Sequence, residues 1–572
     1  MSAQTTNITT NPGVKRDGTQ LDGQFYSDAV WCRFYAGKPR KIGGYRKMAQ
    51  FALGIVGVHV FSRRLESVVH VGSQSKLQGL LVDNNGNGSA VYDRTPLSFI
   101  AQTDYKWTFD TAFDATGSGQ AAIYAHAGRN LQYIDNNIIT PVFYGAIGGT
   151  TTLTTIVLTD TITPSSTGSI TNGSVTLTLA LATGFAVGNF IEILGAGVGG
   201  VDLYATIIAL AGVTATIDTA AGTTVASAIV NHIVGSDGGV LTIGPYLFTY
   251  GSNGLIANSD TNQPKKAASG DSNQVNVTGS KVVHGLPMRG GGHAPAGIFW
   301  AVDSVITASF VGGALVYQYD IASSQSSILS SDSIIEYDGV FYWIGSDRFL
   351  MYAGGVKEVP NVMNNLWFFD NLNWQYRQKV FAAKVPKYGE IWWHFPMGTS
   401  TVCNWAIVFN VRDGTWYDTP STRSAGYYVQ TFPFPVWGDE TGALWQQEFG
   451  WDKVADSSVT AISSSFTTHD IGLPTGGAVA ESPQGRNAWT RIERIEPDFN
   501  QVGPMTVTVI TREYAKSPII DQGALTFNPT DVRVDLRRQG RLLNIRFTSN
   551  AQGGFYHMGV VLMHLDMGDT RE

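Results

Sequence analysis

Residues 338–355, DGVFYWIGSDRFLMYAGG, hold two apolar, aromatic-rich runs joined by a polar knot and closed by a glycine pair. This plan constrains the fold most, because it recurs along the chain. AAIYAHAGRNLQYID (121–135), VLTIGPYLFTYGSNGLIAN (240–258) and VITASFVGGALVYQYD (305–320) follow it. So do YGEIWWHFP (388–396) with NWAIVFNVRDGTWYD (404–418), and VWGDETGALWQQEF (436–449). The turns carry Gly, Asn or Asp, which tolerate positive φ. The flanking runs alternate or are wholly apolar, as strands buried on one or both faces require. Hairpins repeating every few tens of residues point to a repeat architecture. In a β-propeller each small sheet packs on a neighbour through both faces, so both faces want bulky side chains. That places Phe341, Tyr342, Trp343, Phe349 and Tyr352 between blades. A large β-sandwich is the competing arrangement. The predicted fold class is mainly all-β: an irregular β-propeller with an inserted small β domain and a C-terminal β-sandwich.

A chain of 572 residues exceeds what one hydrophobic core organises, so several domains are expected. Charged residues make up only 15% and glycines number 65, which suits short strands and tight turns better than amphipathic helices. The net charge of −7 argues against a surface that wraps nucleic acid, since phosphates are neutralised by clustered cations. It leaves room for a channel whose walls do not hold DNA. Cys32 and Cys403 are the two cysteines, read as reduced, packed thiols and not as a disulfide framework. The first residues lack an apolar secretion core, and no apolar run is long enough to span a membrane.

Composition suggests six segments. Residues 1–50 form a basic N-terminal arm or docking segment, with Lys38, Arg40, Lys41, Arg46 and Lys47 around two glycines. Residues 51–147 and 237–455 carry the propeller. Residues 148–236 are rich in Thr, Ser, Ala and Gly, and no Lys or Arg occurs between Arg129 and Lys265. Such Thr-rich alternation reads as strand, so this is an inserted β domain in a blade connection. One long helix is expected within 359–390, with Asn361 as its cap and Leu366, Phe369 and Trp374 on its buried face. Residues 456–487 read as a Ser/Thr/Gly/Pro-rich linker, and 488–572 as a terminal β-sandwich. There Arg533, Arg537, Arg538, Arg541 and Arg546 cluster, and some would share a solvent face.

Gly195, Gly197 and Gly200 match G-x-G-x-x-G, and Asp218 stands where a dinucleotide fold places its ribose acid. The match is rejected, because Val201 to Ala211 is β-branched and short and no further βαβ units surround it. His284 and His293 flank a glycine-rich loop read as a connection. His469–Asp470 has no third ligand or nucleophile nearby in sequence, and Glu390 is a lone carboxylate without the partner a glycosidase needs. No catalytic residue, metal ligand or cofactor is assigned, and the chain is not expected to be an enzyme.

SSILSSDSIIEYDGVFYWIGSDRFLMYAGGVKEVPN, followed by KYGEIWWHFPMG and VFNVRDGTWY, resembles the tail nozzle proteins of short-tailed bacteriophages, also called tail tubular protein B or DNA-stabilisation protein. The segments GVKRDGTQLDGQFYSDAVWCRFYAGKPRKIGGY and GRLLNIRFTS…GFYHMGVVLMHLDMGDTR also look like phage structural-protein segments. The resemblance implies a virion protein assembled in the host cytoplasm as a homohexameric ring. It would dock on an adaptor or portal-side ring, carry fibres or spikes, and retain and then conduct duplex DNA through its lumen without sequence-specific contact. The insert at 148–236 would project from the tube. A tail-associated receptor-binding or polysaccharide-degrading propeller is the other reading.

Overall fold

A computed structural model describes residues 4–19, 24–62, 66–83, 85–95, 107–114, 120–126, 132–135, 154–156, 161–187, 189–233, 237–263, 271–289, 296–430, 434–471, 489–514 and 516–568. The described residues are almost entirely strand, as the alternating and β-branched runs require. They divide into two compact units. One comprises 1–52, 347–349 and 358–572, and the other 53–346 with 350–357.

The second unit contains five antiparallel four-stranded sheets in chain order, drawn from 57–93, 108–156, 239–276, 282–323 and 335–358. Each is a meander in which sequential strands pair, the plan of a propeller blade. Asp338 and Gly339 show why the sequence folds this way locally. They are the two-residue loop between Tyr337 and Val340, with φ of 49° and 82°. Positive φ at both positions is the type I′ turn, whose twist matches a hairpin.

Neighbouring sheets join through large side chains. Leu241, Phe248 and Tyr250 share a core with Phe299, Ile306 and Tyr317 of the next sheet. Ile298, Trp300 and Val305 share another with Phe341, Trp343 and Tyr352. The aromatics of the 338–355 hairpin are all buried, as the blade plan demands. Phe349 itself belongs to the first unit, where it packs against Phe368, Trp393 and Trp416.

Between the second and third sheets lies a closed six-stranded barrel spanning Thr161 to Ile233. Its core is filled by Leu177, Ile191, Ile193, Ala205, Ile207 and Val230. The two flanking sheets stay together: the Thr242 N–H donates to Asp110 Oδ2 at 2.7 Å. Strand Thr154–Ile156, placed with the insert by its threonines, instead pairs with Gln132–Asp135 as the fourth strand of the second sheet. Backbone pairing sets that boundary, and composition could not.

The first unit contains a four-stranded sheet from 381–420 and a six-stranded sheet from strands in 425–461. The latter is completed by Tyr45–Gln50 from the N-terminal region, which lies antiparallel to Ala443–Gln447 and parallel to Asp452–Ala455. Three further sheets combine strands of 490–567 with N-terminal strands between Gln4 and Lys41 and with Ser464–Thr467. The sandwich expected from 488–572 alone therefore borrows strands from both other segments.

The described residues among 1–50 are built into the sheets of the first unit. Lys41 is buried and donates to the Gly554 carbonyl at 2.8 Å, Arg46 donates to Gln446 Oε1 at 2.7 Å, and Lys47 pairs with Asp456. Likewise Ser458–Ala461, at a sheet edge, and Ser464–Thr467, paired on both sides, are strands inside the stretch read as a linker. The rest of that stretch, 472–488, lies outside the described residues.

The expected long helix is one short helix, Asn365–Asn371, followed by a 3-10 segment, Trp374–Lys379. Phe368 is fully buried, whereas Leu366 is 65% and Trp374 43% exposed, so the apolar face was misassigned. Asn361 makes a local turn through Oδ1, accepting from the Met363 and Asn364 N–H groups. The helix start is held from afar. Asp17 accepts from the Leu366 N–H at 3.0 Å and the Trp367 N–H at 2.8 Å. A carboxylate on orphan donors of a first turn stabilises them doubly, by hydrogen bonding and by charge. Asp17→Ala is expected to cost about 1 kcal/mol. The loss should appear as faster amide exchange at Leu366 and Trp367, with the sheet 381–420 unchanged.

Candidate functional site

The residues with chemistry gather in three places. The first is the Glu390 centre. Glu390 opens strand Glu390–Phe395 and is fully buried. Its Oε1 lies 2.9 Å from Arg33 Nε and accepts from the Tyr417 hydroxyl at 2.6 Å, while Trp392 Nε1 donates to Oε2 at 3.1 Å. Arg33 also forks to Glu448, at 2.9 and 2.6 Å, and its guanidinium lies 3.7 Å from the Tyr388 ring centroid. Burial pushes the Glu390 carboxyl up, against the pull of Arg33 and Tyr417. The carboxylate judged lone in sequence thus has a second carboxylate and a cation as neighbours. The group binds the segment Cys32–Tyr35 to the sheet 381–420.

The second is a histidine pair in the sheet 57–93. His59 and His70 are directly opposite across paired strands, their ring centroids 6.3 Å apart, and His59 stacks on Phe109. Burial, and then His70, push His59 down to about 3; burial, and then Arg94, push His70 well below its usual value. Both rings are therefore neutral in the folded chain at pH 7, and an unfolded histidine titrates near 6.5. As pH falls below about 6.5 the unfolded chain takes up protons that the folded chain refuses. Stability is fully present above that pH and is lost on acidification towards about 3. The slope is up to about 1.4 kcal/mol per pH unit per histidine. In urea titrations at pH 7 and pH 5, His59→Gln/His70→Gln should reduce the acid-induced fall in midpoint. An unchanged fall would mean that the pair is protonated in the fold.

The third is concave. A cavity of about 370 Å³ in the first unit is lined by Lys15, Arg16, Arg512 and Arg546, with Asp17, Asp28, His469 and Asn544 among their neighbours. Arg16 is held by Asp418, through Nε and Nη2 at 3.0 Å each, and by Asp28 at 2.7 Å. Burial pushes the Asp418 carboxyl up, against the pull of Arg16. Arg512 is paired with Asp470, and both side chains are nearly fully buried. His469 Nδ1 lies 2.8 Å from the Thr10 hydroxyl, and burial pushes its ring down to about 4, so it is neutral at pH 7.

Sequence reading set His469 and Asp470 aside for want of neighbours. The structure supplies Arg512, Arg546 and Arg16 from three other places in the chain. The usable signal was alternation: Ile510 and Arg512 stand two apart on one strand, Asn544 and Arg546 on another. Of the five clustered arginines only Arg546 lines this cavity. Arg533 lies 3.8 Å from Asp535, Arg538 donates to the Gln522 carbonyl at 3.1 Å, and Arg541 lies over Tyr514.

The glycine motif at 195–200 belongs to the barrel. Gly195, Gly199 and Gly200 have φ of 73°, 74° and 84°, and the stretch that a dinucleotide fold would make helical is strand Leu203–Ala211. Asp218 accepts from the Thr206 N–H at 2.9 Å. His284 is on strand Val282–Met288 beside Trp300, and His293 lies outside the described residues. Cys32 and Cys403 are buried free thiols. No helix among the described residues is long and apolar enough to cross a membrane.

An all-β chain of stacked four-stranded sheets, with an internal barrel and a cationic cavity, is the class these observations define. No family model matches the sequence, and no curated protein does. Among solved structures the chain is similar to the phage phi92 endosialidase, at a TM-score of 0.26 and 11% identity, over 77% of this chain and 73% of that one. That protein is by name an enzyme, so the expectation that this chain has no catalytic role is withdrawn.

Proposed function

We propose that the chain is a tail protein of a short-tailed bacteriophage. The observation that carries this reading is where the resembling segments fall. The stretch around 335–358 is one four-stranded sheet, 381–420 is the next, and the resembling N-terminal segment supplies strands to the first unit. The segments that resemble tail proteins therefore fall on strands of these sheets.

Within that reading, a tail-associated protein that binds or degrades polysaccharide is supported by the cavity, a concave site with convergent polar groups. The nozzle reading, a homohexameric wall docked on an adaptor ring and conducting DNA, is supported by the sequence resemblance. Two measurements separate them. Purified chain incubated with host polysaccharide should release oligosaccharide, or retain it in a pull-down, if it works on the outside of the tail. Electron micrographs of the same preparation should show rings with a central hole if it forms the tube wall. Neither activity nor rings, with no labelling of tails by antibody to the chain, would overturn the tail assignment itself.

A further inference from the structure

Away from the cavity, the first unit carries a second group of cations, set in a frame of aromatic rings. Strands Cys32–Tyr35 and Lys38–Lys41 form a hairpin in which Tyr35 pairs with Lys38 and Arg33 with Arg40. Its two-residue turn, Ala36–Gly37, has φ of 50° and 76°, the type I′ conformation that fixes this register. Alternation sends Cys32 and Phe34 into the core and leaves Arg33, Tyr35, Lys38 and Arg40 on the other face. Tyr388 meets that face from the 3-10 turn Pro386–Tyr388. Arg33 lies 3.7 Å from its ring centroid, Lys387 5.4 Å and Arg40 5.5 Å, and Tyr35 packs edge-on against it at 5.8 Å. Arg40 also lies 5.5 Å from the Tyr35 ring and 5.2 Å from Phe555, which stacks on Trp451 at 4.1 Å.

The charges of this group divide in two. Arg33 is spent inside the fold, on Glu390 and Glu448. Arg40, Lys38 and Lys387 are not: among the described residues no carboxylate pairs with any of them. Arg40 Nε is buried and has no hydrogen-bond partner, whereas its terminal nitrogens keep contact with solvent. Ring contacts hold the guanidinium in place without neutralising it. Lys387 is exposed and Lys38 half-buried. His557, paired through its backbone with Arg40, adds no charge: burial, and then Arg40, push its ring down, so it is neutral at pH 7.

Three unmatched cations on a preformed support select an acidic partner, and the rings decide which kind. Single-stranded nucleic acid is held by stacking bases on open aromatic faces. Here the rings are covered by cations and by one another, so stacking is denied and only the cationic groups are offered. Tyrosine, tryptophan and arginine together are the composition of protein-binding hot spots. We infer that this patch docks a segment of another protein in which two or three carboxylates lie close together, received by Arg40, Lys38 and Lys387 with Tyr35 at the rim. A second copy of the chain is a poorer occupant. Its one pair of adjacent acids is Asp439–Glu440. Asp439 is buried and accepts from the Thr441 and Ala443 N–H groups, and Glu440 pairs with Lys379. The inference is independent of the tail assignment.

The test is fluorescence anisotropy of the full chain at low salt with three labelled probes. These are a ten-residue peptide alternating Glu and Ser, the same peptide with Gln for Glu, and a ten-nucleotide oligothymidylate. Saturable binding of the Glu peptide is expected, weakening as salt is added, with the other two about tenfold weaker or worse. Arg40→Gln should weaken the Glu peptide about tenfold. Because Arg40 also packs on rings, the double variant Lys38→Glu/Lys387→Glu carries the decision. Neither lysine has an acid to lose, so its melting curve should stay in place while binding falls at least tenfold. No binding of the Glu peptide would overturn the inference, as would equal binding of the Gln peptide or of oligothymidylate, or full affinity in the double variant. Self-association in sedimentation that the double variant abolishes would also overturn it, by assigning the patch to a second copy.

Discussion

Arg33→Ala is expected to be the most damaging single substitution in the first unit, at about 3–5 kcal/mol. The wild-type guanidinium is essentially without solvent and neutralises Glu390 and Glu448 together. Removing it leaves one fully buried and one mostly buried carboxylate facing each other across a void. The cost is the uncompensated charge, more than the lost contacts. Arg33→Lys should recover little, because an ammonium cannot fork to two carboxylates while lying on the Tyr388 ring.

The pH dependence identifies the cause. In Arg33→Ala the Glu390 carboxyl loses its counter-cation and rises further above its unfolded value. The folded variant then holds a proton that its unfolded chain has released, so its stability is greatest in acid and falls as pH rises. The deficit relative to wild type should therefore be smaller at pH 5 than at pH 8, in denaturant titrations followed through the tryptophans of the sheet 381–420. Adding Glu390→Gln should recover part of the loss at pH 8. A deficit independent of pH, or no recovery in the double variant, would show that packing and not charge is what Arg33 supplies.

Trp343→Ala is expected to cost the second unit about 3–5 kcal/mol, the range for emptying a buried aromatic site. The indole is fully buried, edge-on to Trp300 at 5.7 Å, and its Nε1 donates to the Ser327 carbonyl at 3.2 Å. The core it fills is contributed by two successive sheets, with Ile298, Trp300 and Val305 on one and Phe341, Leu350 and Tyr352 on the other. Stability held between sheets should be lost by both together. Hydrogen exchange should speed up in Ala296–Ala301 as much as in Val340–Ile344, although only the latter carries the substitution. Faster exchange confined to Val340–Ile344 would mean that each sheet is stable alone. Trp343→Phe keeps most of the volume and should lose less than half as much.

These two sites show what was legible in the chain before folding. Trp343 was read correctly as an aromatic between stacked sheets, because a hairpin with bulky residues on both faces has few other homes. Glu390 was read as solitary, because its partners, Arg33 and Glu448, stand 357 residues before it in one case and in a later hairpin in the other. The cavity was missed for the same reason: Arg16, Arg512 and Arg546 come from opposite ends of the sequence. The helix failed differently. Its apolar residues suggested one long amphipathic element, but its first turn is capped by Asp17, and packing turned Phe368 inward instead of Leu366.

The sequence by itself determined the local structure: strand after strand, two-residue turns such as Asp338–Gly339, and the buried aromatic faces. Alternation, branching and positive φ act over a few residues, so they can be read in place. Tertiary structure alone decided which strands complete which sheet, as when Tyr45–Gln50 joins Ala443–Gln447, and which charges meet in the interior. An open sheet edge or an ion pair constrains the chemistry of its partner and carries no information about that partner's distance along the chain.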